Sequence, residues 1–235
     1  MRRTTLTLAA LIAVAAPLPS SSQQNSIVPA HPTHYFYTPA PYVNPPHSLV
    51  IGLHELSYAF PYNLQLQASL FDNIGRINAG AKFGILDDLS AGAGLAWTLV
   101  HLGRGNHGIP RYAQPRFGMF VAYGPVVTER FEMTLVPHSQ IGERVSVGFD
   151  YGMFIRPNEL WGIITEIGTS FDFRDELLYL NFDGGLRFNP RSIPFLHFDI
   201  GVDLEEFPVV PGVRPTVTIF GDVIFAMVTA APPSN

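Results

Sequence analysis

An antiparallel β-barrel that crosses a membrane is the fold this sequence predicts, and three observations predict it. First, 47% of its 235 residues are hydrophobic and only 14% are charged, with a mean hydropathy of +0.19. Yet beyond the extreme N-terminus no segment stays apolar for the ~18 residues or more that a spanning helix needs. Second, the chain alternates apolar and polar side chains in runs of ~10 residues, the length of a tilted membrane strand. Third, the polar face of these runs is rich in glycine (Gly80, Gly84, Gly92, Gly94, Gly118, Gly148, Gly152, Gly168, Gly185, Gly201), and Lys82 is the only lysine in them. A solvated sandwich surface carries more charge than that and uses strands of ~5–6 residues. Small residues instead suit a narrow lumen, with the large apolar residues turned to lipid.

Taken in order, residues 1–22 read as an export signal. Arg2 and Arg3 supply the positive start, Leu6 to Ala16 the apolar stretch, and Pro17 and Pro19 its end. Ser20 and Ser22 precede a cut before Gln23, and a cut after Ala16 is the alternative. Loss of the two arginines takes the formal charge from −5 to −7. Residues 23–47 form a proline-rich segment (Pro29, Pro32, Pro39, Pro41, Pro45, Pro46), residues 48–228 the barrel, and residues 229–235 a tail.

Within the barrel, strands are expected near 48–60, 62–71, 75–86, 88–101, 115–124, 128–137, 144–155, 159–174, 176–188, 194–206 and 214–228. The alternation is clearest where Leu178, Leu180, Phe182, Leu186 and Phe188 oppose Tyr179, Asn181, Asp183, Gly185 and Arg187. It repeats where Leu196, Phe198, Ile200, Val202 and Leu204 oppose His197, Asp199, Gly201, Asp203 and Glu205. Tight turns fall at Phe60-Pro61-Tyr62-Asn63, Leu86-Asp87-Asp88, Tyr123-Gly124-Pro125, Arg156-Pro157-Asn158 and Asn189-Pro190-Arg191. Looser links at 102–114, 138–144, 174–176 and 207–214 alternate with them. Aromatics at Tyr58, Phe60, Tyr62, Phe83, Tyr123, Phe154, Trp161, Phe188 and Phe195 gather at the tight-turn end, as an interfacial girdle does.

This combination resembles the small outer-membrane β-barrel proteins of double-membraned bacteria. The resemblance covers roughly residues 48–228 and rests on pattern, with Asn78 to Leu95 similar to the strand–turn–strand units of porin-like transporters. It implies an outer-membrane location, reached through the cleaved signal. It also implies outer-membrane lipid and lipopolysaccharide as surroundings, the barrel-assembly machinery as a partner, and a homo-oligomer as one form, since porins are often trimers. Family members commonly end on an aromatic residue; here an alternating last strand reaches Phe225 and a tail follows. Such barrels have even strand numbers. Eleven runs therefore become twelve if Thr33 to Thr38 adds a first strand, or ten if 48–60 is a periplasmic or plugging segment; twelve is expected.

The expected inward face carries Lys82, Arg116, Glu132, Asp150, Glu166, Asp172, Asp183, Arg187, Asp199, Asp203 and Asp222. Its acidic excess suits a path for cations or polar solutes, or an internal network of paired charges that fills the lumen. A passive porin-like channel for small solutes is the first functional expectation. A plugged structural barrel, whose loops meet partners or lipopolysaccharide, is the second. No enzyme is expected. Omptin-like proteases use His and Asp at the extracellular rim, whereas His197 and Asp199 sit toward the tight-turn end. Lipid A deacylases space His and Ser two apart, whereas His138 and Ser139 are adjacent and face opposite ways.

No metal or other cofactor is expected: His31 and His34 lack partners nearby, and neither Gly103-Arg104-Gly105 nor Asp183-Gly184-Gly185 leads from a strand into a helix. With no cysteine there is no thiol chemistry. Without a basic run, nucleic acid is not an expected partner.

Overall fold

Period-two alternation becomes a ring of strands. The computed structural model describes residues 28–29, 32, 38–53, 55–69, 76–98, 115–128, 130–142, 145–211 and 213–229. The export signal, His31, His34, the 102–114 link and residues 230–235 of the tail lie outside the described residues. The strands are β1 (Val28–Pro29), β2 (Ser48–Ile51), β3 (Leu56–Phe60), β4 (Leu64–Ala68), β5 (Arg76–Leu86), β6 (Leu89–Thr98), β7 (Pro115–Val127), β8 (Phe131–Ile141), β9 (Val145–Ile155), β10 (Trp161–Asp172), β11 (Leu177–Phe188), β12 (Leu196–Pro208) and β13 (Val217–Val228). No helix occurs among the described residues.

From β2 to β13 each strand pairs antiparallel with the next, and β13 pairs back onto β2. Phe225 faces Ile51 and Val228 faces Ser48 at this seam. The result is a closed all-β barrel of twelve strands, as the alternation predicts, with no free edge along its wall. Strand β1 is extra: Val28 and Pro29 pair with Val228 and Met227.

The twelfth strand does not come from Thr33 to Thr38, of which only Thr38 is described, outside any strand. It comes from division of the expected 48–60 strand into the hairpin β2–β3. Gly52 N–H donates to the Glu55 carbonyl at 2.6 Å, and Leu53 N–H donates to Asp222 Oδ1 at 2.8 Å. A Cβ at Gly52 would sit 3.0 Å from Ile224 Cγ1, so this bend needs a small residue. The expected turn at Tyr123-Gly124-Pro125 also moves. β7 runs through it to Val127 with a shift in register between Tyr123 and Val126. The chain reverses instead at Thr128, whose N–H and Oγ1 both donate to the Phe131 carbonyl at 2.9 Å. Proline lacks the ladder N–H and is tolerated at such an irregularity. The expected 138–144 link is mostly strand, because β8 continues past Pro137 to Ile141.

The β3–β4, β5–β6, β7–β8, β9–β10 and β11–β12 connections lie at one end, with the start of β2 and the end of β13; this is the turn end. The Asp87-Asp88 turn joins Leu86 to Leu89 directly. Tyr62 and Asn63 take φ of 66° and 58° between β3 and β4, the left-handed region that Asn tolerates better than Tyr. The opposite end is the loop end.

Side chains follow the pleat. In β10, Trp161, Ile163 and Ile167 are exposed, while Gly162, Ile164, Glu166 and Gly168 are buried. Around the wall the exposed residues include Leu66, Phe83, Leu95, Met119, Val147, Ile167, Phe182, Ile200 and Ile219, drawn from different strands. The buried set instead holds Gln65, Lys82, Glu166, Asp183, Arg187, Asp199 and Asp222. Polar inside and apolar outside is the arrangement of a lipid-facing barrel, and a continuous exposed apolar band far exceeds what a soluble monomer shows.

Candidate functional site: a plugged lumen with an open bay

Eight strands enclose a space that side chains just fill, so twelve leave room to spare. In the turn-side half that room is taken by the chain itself. Residues Thr38, Pro39, Ala40, Pro41 and Asn44 are buried inside the ring. Thr38 N–H donates to Glu166 Oε1 at 3.1 Å. The Ala40 carbonyl accepts from Lys82 Nζ at 3.3 Å. Tyr42 Oη donates to Glu132 Oε2 at 3.2 Å, and Asn44 N–H donates to Gln65 Oε1 at 3.4 Å.

The proline content has a physical use here. An extended segment inside a polar lumen must satisfy each backbone N–H, and Pro39 and Pro41 have none to satisfy. Pro41 packs against Gly124 and Val43 against Gly84, so inward glycines of the wall make way for the plug.

Charges complete the closure. Arg187 and Asp199 form a buried bidentate pair, Nε to Oδ1 at 2.8 Å and Nη2 to Oδ2 at 2.7 Å. Their strands hold them in register, Arg187 opposite Asp199, with Asp222 next in line. Arg187 and Arg156 both lie over the Phe154 ring, 5.8 and 5.1 Å from its centre. The rings themselves use glycine: Phe154 covers Gly162, Phe120 covers Gly92, and Phe220 covers Gly201. Each pair places a bulky ring where a neighbouring side chain is absent. Phe154, expected in the outer girdle, is instead buried and forms a small apolar core with Ile164, with Phe220 against it, because Gly162 leaves room for its ring.

The loop-side half is different. There a cavity of about 440 Å³ opens between β4 and β9, with Pro39 of the plug as part of its floor. Its wall is smooth because Gly80, Gly94 and Gly118 are direct partners across β5, β6 and β7. Around this glycine row stand Gln67, Asn78, Arg116, Phe120, His138, Gln140 and Asp150. His138 Nε2 lies 3.4 Å from Asp150 Oδ1. Asn78 bridges to the residue after β4, accepting from Ser69 N–H at 2.7 Å and donating to the Ser69 carbonyl at 3.3 Å. Gln67 Oε1 is buried and has no hydrogen-bond partner among the described residues.

Of the residues read from the sequence as inward-facing, Lys82, Glu132 and Glu166 grip the plug. Arg187 and Asp199 pair beside it. Glu166, Asp183 and Asp203 are successive register partners across β10, β11 and β12, with Asp183 and Glu166 buried. Arg116 and Asp150 line the bay instead. Asp172 is taken up by the β10–β11 turn, where its Oδ1 accepts from Arg174 N–H at 2.8 Å and Asp175 N–H at 3.3 Å. Asp222 accepts from Leu53 at the β2–β3 bend.

Reading charges alone misses the residues that give the lumen its shape: the plug at 38–44, Gln65, Gln67, Glu55, Phe120 and Gln140. Gln65 and Gln67 do carry a signal, since both alternate with leucines in β4. His197 is buried at the turn end beside Tyr42, Glu132, Arg156 and Arg187, around a space of about 10 Å³, room for little more than a water. Ser139 pairs with Met119 and Val147 on the outer face, away from His138. Among the described residues no group of three or more His, Asp and Glu side chains is placed to hold a metal ion.

The class these features define is a closed twelve-stranded antiparallel β-barrel, consistent with the outer-membrane type, with a filled turn-side lumen and an open loop-side bay. No family model matches the chain, and no curated protein matches it.

Proposed function

We propose that this protein is a bacterial outer-membrane barrel held closed on its turn side by its own residues 38–44, and that it works through its loop-side surface. The supporting observation is the grip on the plug backbone: Glu166 accepts from Thr38 N–H, and Lys82 donates to the Ala40 carbonyl. In this reading the turn end faces the periplasm, outer-membrane lipid and lipopolysaccharide surround the wall, and the barrel-assembly machinery inserts it. No catalytic residue is assigned.

A passive porin-like channel is the second reading; the open bay favours it, but solute flow then requires the plug to leave. Planar-bilayer recording separates the two. The mature protein, folded by heat-modifiable mobility, is expected to give no steady conductance steps. A variant lacking residues 23–47, or the Tyr42→Ala/Glu166→Gln variant if the deletion does not fold, is expected to give frequent ones. Steady, discrete steps from the unaltered mature protein would overturn the closed reading in favour of the porin.

A further inference from the structure

We propose that the loop-side bay is a binding site for a small neutral saccharide of one or two rings. The inference goes beyond the closed-barrel reading and does not depend on whether anything crosses the lumen. At about 440 Å³ the bay lies in the lower part of the ~300–1,000 Å³ typical of small-molecule sites.

Its chemistry selects the ligand. An anion site collects donors and a cation site collects acceptors, but this bay holds both in balance. The Gln67 and Gln140 amides each donate and accept, Arg116 donates, and Asp150 accepts beside His138. A sugar hydroxyl also donates and accepts, so it satisfies such groups without leaving a charge unpaired.

The shape agrees with the chemistry. The Gly80–Gly94–Gly118 row leaves a flat wall of backbone, with the Phe120 ring beside it over Gly92. A flat wall and an aromatic ring receive the C–H face of a pyranose, while its equatorial hydroxyls reach outward to the amides. The glycine row is what makes the space: side chains on all three strands there would close it.

The test is isothermal titration of the full mature protein in a detergent without a sugar head group. The probes are glucose, galactose, maltose and sucrose. Inorganic phosphate and arginine serve as charged counter-probes. At least one saccharide is expected to bind in the ~millimolar range or tighter. Gly118→Leu fills the bay and is expected to weaken binding at least tenfold. A Cβ at Gly118 meets nothing nearer than Ser139 O at 3.8 Å, so the strand accommodates it.

Gln67→Leu is a second, smaller change and is expected to weaken binding severalfold. Absence of any saccharide binding, binding untouched by both variants, or preference for phosphate or arginine overturns the proposal. Conductance plays no part in this readout, so its failure is distinct from failure of the closed-barrel reading.

Discussion

The two halves of the lumen are built from the same alternating strands and end up opposite in character. Toward the turn end, inward glycines lie beneath something: Gly162 under Phe154, Gly201 under Phe220, Gly124 under Pro41. Toward the loop end, Gly80, Gly94 and Gly118 lie beside one another. The same residue type therefore makes a packed plug in one half and a hollow in the other. What decides is what lies over the glycine. A ring or the plug makes it a socket, and three glycines side by side on adjacent strands make a bay.

The largest effect is expected at the buried ion pair that closes the turn half. Arg187→Ala leaves Asp199 charged and enclosed, and is expected to cost about 3–5 kcal/mol of stability. Arg187→Met with Asp199→Leu is expected to recover most of that loss, since replacing both partners leaves no orphaned charge. Urea unfolding in detergent, followed by loss of heat-modifiable mobility, measures both; equal losses in the single and double variants would mean packing rather than charge dominates.

Next comes a paired test of the glycines. Gly162→Leu drives a side chain into the Phe154 ring and is expected to cost about 1–3 kcal/mol or block folding. Gly118→Leu, on the open wall, is expected to stay within ~0.5 kcal/mol of the parent, as surface changes do. Similar losses at both positions would break the contrast between the halves.

A single plug contact matters less. Tyr42→Phe removes the hydrogen bond to Glu132 and is expected to cost about 1 kcal/mol. Its sharper readout is limited proteolysis, where residues 38–44 should become cleavable sooner than the wall; unchanged cleavage would show that Tyr42 does not help hold the plug. The smallest effect is expected at Arg191 and Glu159, an ion pair 3.4 Å apart whose side chains are 71% and 81% exposed. Glu159→Gln should shift the unfolding midpoint by no more than ~0.5 kcal/mol, and a larger shift would mark the β9–β10 turn as more tightly coupled than its exposure suggests.

Much of this architecture is legible in the amino-acid sequence. The alternation in β10 and β11 names the outer face residue by residue, because side chains of a strand point to opposite sides and lipid and lumen demand opposite polarities. The two-residue turn at Asp87-Asp88 is equally plain, standing between two alternating runs. The β2–β3 hairpin is not, because Gly52-Leu53-His54-Glu55 carries no strong turn pair and the residues around it read as one long strand. Gly124-Pro125 misleads in the other direction: it has turn composition, yet it occupies an irregularity in β7, and hydrogen bonds at Thr128 close the actual turn. The plug leaves no periodic trace, since an extended filler is held by its surroundings and not by its own pattern.

The sequence by itself determined most of the strands and the facing of most of their side chains, because these depend on neighbours one or two residues apart. Only the tertiary structure decided that β13 closes on β2 at a count of twelve, that residues 38–44 enter the lumen, and which glycines meet rings and which meet glycines. Those outcomes join residues as far apart as Thr38 and Glu166. They follow from register and closure around the whole ring, which no local pattern contains.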